Sequence, residues 1–456
     1  MKFTTFLIRL IKLILPEDQP EEQVRKYFVK GFSGMLIMQA FAMLLTFAGT
    51  WLLTRLLGKS GFGTYSYLFA IFNIAGSLAT FGYRSLIVRE TAAYMKRKET
   101  AKIKGLKNWS IRIIMLGASV AYGVSVLLIL RSGIFESEIL SVKIVLIAAL
   151  SVPMLAFTQL FQSLLSGLKY VLSGNISLFV IKPLALLAGL GIIYLFQTSI
   201  GLENAILANT LSFGTALLVA ASLFKYKTSG LLRGLTPLKE NRMWMHSGFY
   251  FWMLSLVTII NGQADLLILG ALKPMAEVGV YKISLKLAEI IPLVLFLTNT
   301  VLAPVYARLF ESAQKNSLQH IVNRSSVVFI LATLPLAIVL VFAGKPLMHL
   351  FGIGFESGYP ALLILVFGQL LNVLMGSVGL LLKMTRNENV LLYTFLGTAV
   401  LNITLDFLLI PSMGIEGAAI ANASSIICWN VVMSRMLFLK TGIKSSVILS
   451  KLSSLF

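Results

Sequence analysis

The chain has 456 residues, of which 57% are hydrophobic and only 12% are charged, and its mean hydropathy is +0.87. A soluble globular protein carries about 25% charged residues, so this composition predicts a membrane protein. The net charge of +21 then indicates basic loops facing anionic lipid rather than a nucleic-acid partner. Cys428 is the single cysteine, which excludes an internal disulfide and a cysteine metal site.

Residues 1–32 are predicted to form a cytoplasmic amphipathic segment. Apolar residues recur at helical spacing in MKFTTFLIRLIKLILP, and Arg9 and Lys12 interrupt the apolar run. These charges, and the lack of a small-residue cleavage site after them, distinguish the segment from a signal peptide. We expect a helix lying on the cytoplasmic leaflet; a frayed tail is the alternative.

The rest of the chain predicts an all-α membrane protein with about twelve transmembrane helices. A spanning helix needs about 20 mostly apolar residues, and the runs are continuous, which excludes a β-barrel. The predicted spans are 33–55, 63–87, 108–130, 139–161, 175–196, 203–224, 247–271, 280–303, 325–344, 359–382, 390–410 and 415–437.

The distribution of basic residues predicts the orientation. With the N-terminus inside, the cytoplasmic segments contain 28 Lys and Arg residues and the external loops contain five. Basic residues collect in cytoplasmic loops, so both termini are predicted to be cytoplasmic, in the inner membrane. No predicted external loop is long enough to form a domain.

Two sequence echoes indicate an internal duplication. GLENAILAN at 201–209 matches GIEGAAIAN at 414–422, and a Gly-x-Tyr segment ending at Tyr65 matches one ending at Tyr281. The offsets, 213 and 216 residues, are nearly equal, so the sequence indicates that the chain consists of two copies of one ancestral unit. Six spans is an even number, so the two six-helix lobes have parallel orientation. The predicted divisions are lobes at 33–224 and 247–437, a basic cytoplasmic linker at 225–246 and a cytoplasmic tail at 438–456.

Two basic residues of the first lobe are candidates for function. A charge at the bilayer centre costs about 2.5 to 3.5 kcal/mol on insertion scales, so it should face a partner or a watery cavity. Lys182 lies well inside the fifth span and precedes Pro183, which frees a backbone carbonyl. Arg84 lies toward the inner end of the second span, where it either contacts the inner vestibule or anchors at the headgroups. Lys143 and Arg112 lie close to span ends and are predicted to snorkel.

The second lobe has candidates of both signs. Lys282, Lys286 and Glu289 share one face of the eighth span. They form either a cationic stripe facing the cleft between the lobes or an internal Lys286–Glu289 pair. Asp265, in the outer part of the seventh span, either pairs with Lys282 or Lys286 or binds a coupling proton or cation. Charge pairing is the slightly favoured alternative because a lysine is nearby.

The sequence contains no enzyme signature. The GxGxxG, P-loop and HExxH motifs are absent, and the three histidines fall at or outside the predicted membrane borders. We therefore expect a non-enzyme with no catalytic residue, no metal and no cofactor.

Three segments of the chain resemble the polysaccharide-export (Wzx-type) flippases of the multidrug/oligosaccharidyl-lipid/polysaccharide exporter superfamily. They are RLLGKSGFGTYSYLFAIFNIAGSLATFGYRSLIVRE, DLLILGALKPMAEVGVYKISLKLAEIIPLVL and LNITLDFLLIPSMGIEGAAIANASSII. The resemblance, which covers essentially the whole chain, implies a V-shaped bundle of two lobes that opens alternately to each face. It implies transfer of a polyprenyl-diphosphate-linked oligosaccharide to the outer leaflet for O-antigen, capsule or exopolysaccharide synthesis. It also implies cavity charges at Arg84, Lys182, Lys282 and Asp265.

Besides the lipid bilayer and this substrate, the expected partners are a coupling proton or sodium ion and a polysaccharide polymerase or glycosyltransferase. A cation-coupled multidrug exporter of the same superfamily is the alternative function. Such an exporter needs mainly acidic cavity residues, whereas the predicted spans contain six basic residues and few acids. A major-facilitator transporter is disfavoured because the basic loop motif after the second span is missing. A lipid-linked sugar polymerase or ligase would need a large external loop.

Overall fold

The computed structural model describes residues 22–131, 141–196, 201–232, 234–238 and 240–447, and in these ranges every regular element is helical. The predicted N-terminal interfacial helix lies outside the described residues. The helices are α1 (Glu22–Leu78), α2 (Tyr83–Arg97), α3 (Thr100–Arg131), α4 (Val142–Ala149), α5 (Ser151–Gly167), α6 (Val171–Ile176), α7 (Lys182–Phe196), α8 (Leu202–Leu232), α9 (Asn241–Leu272), α10 (Met275–Ala288), α11 (Leu293–Glu311), α12 (Lys315–His349), α13 (Tyr359–Leu374), α14 (Val378–Met384) and α15 (Glu388–Thr441). A π-helical turn, Ser177–Ile181, joins α6 to α7, and a 3₁₀ turn, Phe355–Gly358, precedes α13.

The all-helical membrane fold predicted from the sequence is confirmed. Eight helices in the described ranges are long and apolar enough to span a membrane, or ten if each of two bent pairs forms one span. Two of the eight, Ile37–Leu78 and Glu388–Thr441, have 42 and 54 residues. At about 1.5 Å per residue, each is at least twice as long as a bilayer core of about 30 Å. The count of twelve spans is not confirmed.

Glycines divide these two long helices. Gly58 has φ 63° and ψ −177°, and Gly414 has φ 57° and ψ −127°. Both residues occupy the left-handed half of backbone space, which glycine enters without the steric penalty of a Cβ atom. Gly414 is the first residue of the second repeated nonamer, and the first nonamer starts at Gly201, immediately before α8. Each nonamer therefore begins a new helical segment.

Two predicted spans end earlier than the sequence indicated. The second span was predicted to continue to residue 87, but α1 ends at Leu78 and α2 begins at Tyr83. Phe81 and Gly82 between them have φ 45° and 68°, which a helix cannot contain. The predicted eighth span, 280–303, is likewise divided into α10 and α11.

The chain forms two compact units. The first unit is Ile37–Gln263, and the second comprises the described parts of Ala264–Phe456 and Met1–Leu36. Much of the predicted linker is helical, since α8 continues to Leu232 and α9 begins at Asn241. The lobe boundaries given above stay a prediction.

A polar clasp fixes the short connection before α9 within the first unit. Trp244, which is fully buried, donates its indole N–H to the hydroxyl of Tyr94 at 3.0 Å. That hydroxyl donates to Glu240 at 2.7 Å, and the Lys102 ammonium lies 2.8 Å from the other carboxylate oxygen. The Leu238 N–H donates to the Ala101 carbonyl at 3.2 Å. These contacts hold the connection against the α2–α3 turn.

The hydrogen bonds of the polar clasp are predicted to stabilise the first unit. Tyr94→Phe leaves the buried indole N–H of Trp244 without an acceptor, which should lower the free energy of unfolding by about 1 to 3 kcal/mol. The apparent melting temperature of the protein in detergent measures this. Tyr226→Phe, at a tyrosine that is 76% exposed, is the matched control and should melt like the wild type. Equal melting temperatures for the two variants would show that the clasp does not stabilise the unit.

The clasp also predicts a pH dependence. Hydrogen bonds from Lys102 and Tyr94 lower the pKa of Glu240 below its ordinary value. A depressed carboxyl pKa stabilises the fold at neutral pH, and this contribution is lost as pH falls through the folded-state pKa. The difference in melting temperature between wild type and Glu240→Gln should therefore shrink as pH falls below about 4.5.

Candidate functional site

A buried carboxylate in the second unit accepts a hydrogen bond from one residue of each repeated segment. Asp265 on α9 is 3% exposed. One of its oxygens, Oδ2, accepts hydrogen bonds from the Tyr281 hydroxyl at 2.9 Å and from the Asn422 amide at 2.6 Å. Tyr281 ends the Gly-x-Tyr echo, and Asn422 ends the repeated nonamer. The repeat therefore supplies part of a site as well as helix ends.

Asp265 does not form the predicted ion pair with Lys282 or Lys286. Its hydrogen-bond donors in the described part of the chain are neutral side chains. Lys282 and Lys286 are half-buried on α10, and Glu289 is exposed where that helix ends. The role of Asp265, charge pairing or binding of a coupling cation, stays a prediction.

A second acid, which the sequence reasoning did not assign to a site, accompanies Asp265. Asp406 on α15 is fully buried and lies close enough to Asp265 for their charges to interact. Neither carboxylate oxygen of Asp406 has a hydrogen-bond partner among the described residues, and the Asn402 amide lies within reach of Asp265. Asn402 and Asp406 are spaced i, i+4 on one helical face, and this spacing was a signal that could have identified them.

We call Asp265, Asp406 and Asn402 the acid pair site. Its two carboxylates require a nearby positive charge or a bound proton. Two close carboxylates cannot both be ionised in a low-dielectric interior without one. Carboxylate and amide oxygens suit a proton or a hard cation such as sodium. No set of three or more His, Cys, Asp and Glu side chains that could hold a metal ion occurs in the described ranges.

Lys182 in the first unit has a different environment. It follows the π-helical turn directly, and its backbone N–H bonds to the Ser177 carbonyl, five residues back. Pro183 lacks an N–H, which removes an α-helical bond at this point and favours the wider turn. The side chain is half-buried. The local backbone that Pro183 was predicted to perturb is therefore irregular, and it positions the lysine.

The Lys182 ammonium lies against one aromatic ring of a short aromatic stack. It lies 4.0 Å from the centroid of the Phe213 ring on α8. Phe213 stacks on Phe69 at 6.4 Å, and Phe69 contacts Tyr65 at 4.8 Å. No carboxylate pairs with Lys182 among the residues that the structure describes. A cation held by a π face, without a counter-ion, remains available to an anionic ligand.

The remaining candidate, Arg84, is exposed in the first turn of α2. It lies beyond the break at Phe81 and Gly82, not in the second span as predicted. Arg84 and Lys182 thus belong to the first unit, and Asp265, Lys282, Lys286 and Glu289 belong to the second. Their functional roles stay predictions.

The comparisons with known proteins agree with this fold. The family described as "Polysaccharide biosynthesis protein" matches residues 28–310. The chain belongs to this family. The family described as MatE also matches residues 253–408, a range that contains both members of the acid pair.

Individual proteins that match the chain are named as flippases and transporters. The chain is 25% identical over 402 residues to the probable low-salt glycan biosynthesis flippase Agl15 of Haloferax volcanii, covering 86% of this chain and 79% of that protein. Its fold is similar to the lipid II flippase MurJ in an inward closed conformation, with a TM-score of 0.70, 16% identity and coverage of 90% and 87%. It is equally similar to an inward-facing multidrug resistance MATE transporter, with a TM-score of 0.70, 12% identity and coverage of 90% and 96%.

These findings confirm the resemblance to the exporter superfamily. The protein is a multi-pass helical membrane protein with a MATE-like fold. The matched proteins are flippases and transporters rather than enzymes, which confirms the prediction of a non-enzyme.

Proposed function

We propose that the protein is a flippase that moves a polyprenyl-diphosphate-linked oligosaccharide from the cytoplasmic to the outer leaflet for cell-surface polysaccharide synthesis. The observation that carries the proposal is Lys182, a half-buried cation inside the membrane whose nearest described partner is the neutral ring of Phe213. A diphosphate is the group in this substrate that needs such a charge. The flippase relatives Agl15 and MurJ support the same substrate class.

The proposed mechanism is alternating access with the diphosphate neutralised along the way. Lys182 would bind the phosphate oxygens by charge-assisted hydrogen bonds, and Arg84, Lys282 and Lys286 would supply further cations. An inside-negative potential favours outward movement of negative charge by about 2.3 kcal/mol per charge per 100 mV. The prenyl tail would stay in lipid. In this scheme the protein lies in the inner membrane with both termini cytoplasmic.

The acid pair site would couple flipping to a proton or sodium gradient. Asp265 and Asp406 are buried without a basic partner in the described residues, so binding of a proton or sodium ion would stabilise one conformation over the other. Glu289 is a weaker candidate because it is exposed. Coupling through differential cation affinity needs no contact between cation and substrate.

A cation-coupled multidrug exporter is the second candidate function. The MatE match over residues 253–408, which includes both acids, favours it. The two candidates differ in what Lys182 can do, because a half-buried lysine repels an organic cation and attracts a diphosphate. The lysine therefore favours the flippase.

Reconstitution of the full chain in liposomes tests the choice. A fluorescent short-chain polyprenyl-diphosphate disaccharide in one leaflet should become accessible in the other, measured by quenching with a membrane-impermeant reductant. The same lipid carrying a neutral headgroup is the control and should not move. Export of ethidium with no movement of the diphosphate lipid would reject the flippase and favour the drug exporter.

A further inference from the structure

An aromatic surface in the first unit has no part in the mechanism proposed above. On the N-terminal half of α9, the Trp252 ring lies 5.6 Å from the Phe81 ring and 6.0 Å from the Phe249 ring, measured between centroids. Phe81 and Phe249 are 37% and 62% exposed, and Met253, the residue after Trp252, is 42% exposed. We call these four residues the α9 aromatic patch. A single exposed apolar side chain is ordinary, whereas three neighbouring rings form a continuous surface that a ligand can cover.

The backbone holds Phe81 in an unfavourable conformation. Its φ of 45° lies in the left-handed region, which a bulky residue rarely adopts. A glycine on α3 makes room for the ring, because a Cβ atom at Gly117 would overlap it. A second glycine brings the helices together, because a Cβ atom at Gly82 would overlap the Trp252 backbone nitrogen. Strained residues cluster at ligand clamps and active sites, so Phe81 is a candidate for contact with a ligand.

Polar groups border the patch. The indole N–H of Trp252 is buried and has no hydrogen-bond partner in the described part of the chain. Buried donors are normally satisfied, so this one indicates a missing acceptor. Arg84 is exposed three residues after Phe81, and among the described residues no carboxylate lies within ion-pair distance of it. An indole N–H and a guanidinium are both donors that suit an anionic oxygen.

We propose that the α9 aromatic patch binds the polyprenyl chain of the lipid-linked substrate, next to the diphosphate, while the substrate is still in the cytoplasmic leaflet. The inference rests on the proposed function and adds a site for the lipid part of that substrate. A polyprenyl chain is a single strand with a methyl branch and a double bond in each unit, so it can pack along ring faces and a methionine side chain. Arg84 follows Phe81 closely in the chain, which brings a cation near the end that carries the diphosphate.

Contact with bulk phospholipid is the competing explanation. It accounts for the exposure of Phe249 and Met253, since acyl chains cover any apolar surface in a bilayer. It does not account for the left-handed backbone of Phe81, because an acyl chain packs equally well on an unstrained surface. The two explanations differ in whether the patch prefers a polyprenyl chain to a phospholipid.

Photocrosslinking in the full chain distinguishes them. Position 249 receives the photoreactive residue p-benzoylphenylalanine, which keeps the aromatic ring of Phe249. The protein is reconstituted in phosphatidylglycerol vesicles that contain a small amount of sugar-free polyprenyl diphosphate. Leu218 on α8, which is 69% exposed in the same unit, receives the same photoreactive residue as the matched control. Mass spectrometry of the irradiated protein gives the ratio of polyprenyl to phospholipid adducts at each position.

The adduct ratio at position 249 should exceed the ratio at position 218 by about tenfold, the order of preference that one or two aromatic contacts produce. Phe81→Gly removes a ring and keeps the left-handed backbone, which glycine adopts freely. This variant should lower the ratio at position 249 to the control value. Excess polyprenol, which has the chain but no diphosphate, should lower the ratio in the same way without any change to the protein.

Equal ratios at the two positions would overturn the inference. A ratio that Phe81→Gly leaves unchanged would also overturn it, because the strained ring would then have no part in binding. Loss of the preference with inorganic diphosphate but not with polyprenol would show that the charge alone selects the lipid, which rejects a site for the chain. Crosslinking requires no transport, so failure of the flipping assay alone would reject the proposed function and leave this result intact.

Discussion

Lys182→Ala is expected to lower the rate of diphosphate-lipid flipping by about tenfold or more while membrane abundance stays normal. A hydrogen bond between charged groups contributes about 1.5 to 3 kcal/mol, and 1.4 kcal/mol corresponds to a tenfold change. The loss arises because the variant removes the ammonium that the proposal places against the phosphate oxygens, and the Phe213 ring beside it carries no charge. Initial flipping rates in proteoliposomes, normalised to reconstituted protein, measure the effect.

Two further variants make this test specific. Lys182→Arg keeps the charge and should retain part of the activity, although its planar fork fits the Phe213 ring and a phosphate differently. Lys143→Ala removes an exposed lysine of α4 and should flip the lipid at the wild-type rate. If Lys182→Ala and Lys286→Ala both transport normally, the model of a cation-assisted diphosphate is wrong.

Much of the fold could be predicted because membrane insertion imposes simple requirements on the sequence. Long apolar runs give the helices, and a helix breaker such as Pro183 marks irregular backbone next to the candidate residue Lys182. The break before Arg84 was missed for a physical reason. Phe81 and Gly82 interrupt the helix by left-handed backbone angles, without a proline or a polar loop to show it. The break before α11 did carry a signal, since Pro292 immediately precedes that helix.

The acid pair site could be predicted only in part. Asp265 was recognised as a costly charge, but its partners lie far away in the sequence. Asn422 is 157 residues from Asp265, and hydropathy does not say which helical faces meet. A nearby lysine therefore seemed the natural partner from composition alone. Tertiary packing brings Asp265 within electrostatic reach of Asp406, and this proximity is the basis of the proposed cation coupling.

The duplication explains how the two units differ in charge. Tyr65 and Tyr281 occupy equivalent positions in the repeat, as do Asn209 and Asn422. In the second unit both residues bind Asp265, whereas in the first unit Tyr65 packs on Phe69 and Asn209 accepts from Ser212 at 3.2 Å. The equivalent positions thus contact a buried acid in one unit and pack with aromatic and polar neighbours in the other. This divergence is what the proposed flippase, with an anionic substrate and a coupling cation, requires.

Asp265→Asn and Asp406→Asn are expected to change activity and stability in different directions. Each should remove stimulation of flipping by a sodium or proton gradient, lowering the gradient-driven rate by about tenfold or more, the order of effect that losing a charged contact produces. Each also removes a buried charge without a basic partner, so the apparent melting temperature should stay the same or rise. Asn at position 265 can still accept the hydrogen bonds of Tyr281 and Asn422, which preserves the local packing.

The measurement is flipping with and without each gradient, beside thermal unfolding of the same preparations. Glu203→Gln, at an exposed acid in the first turn of α8, is the control and should keep full gradient dependence. Gradient stimulation retained by both aspartate variants would remove the coupling role. Reduced stability together with reduced activity would show that the two carboxylates hold the second unit together instead. A protein that becomes more stable and uncoupled at once would locate the coupling cation at the acid pair, because only a functional requirement retains a destabilising charge.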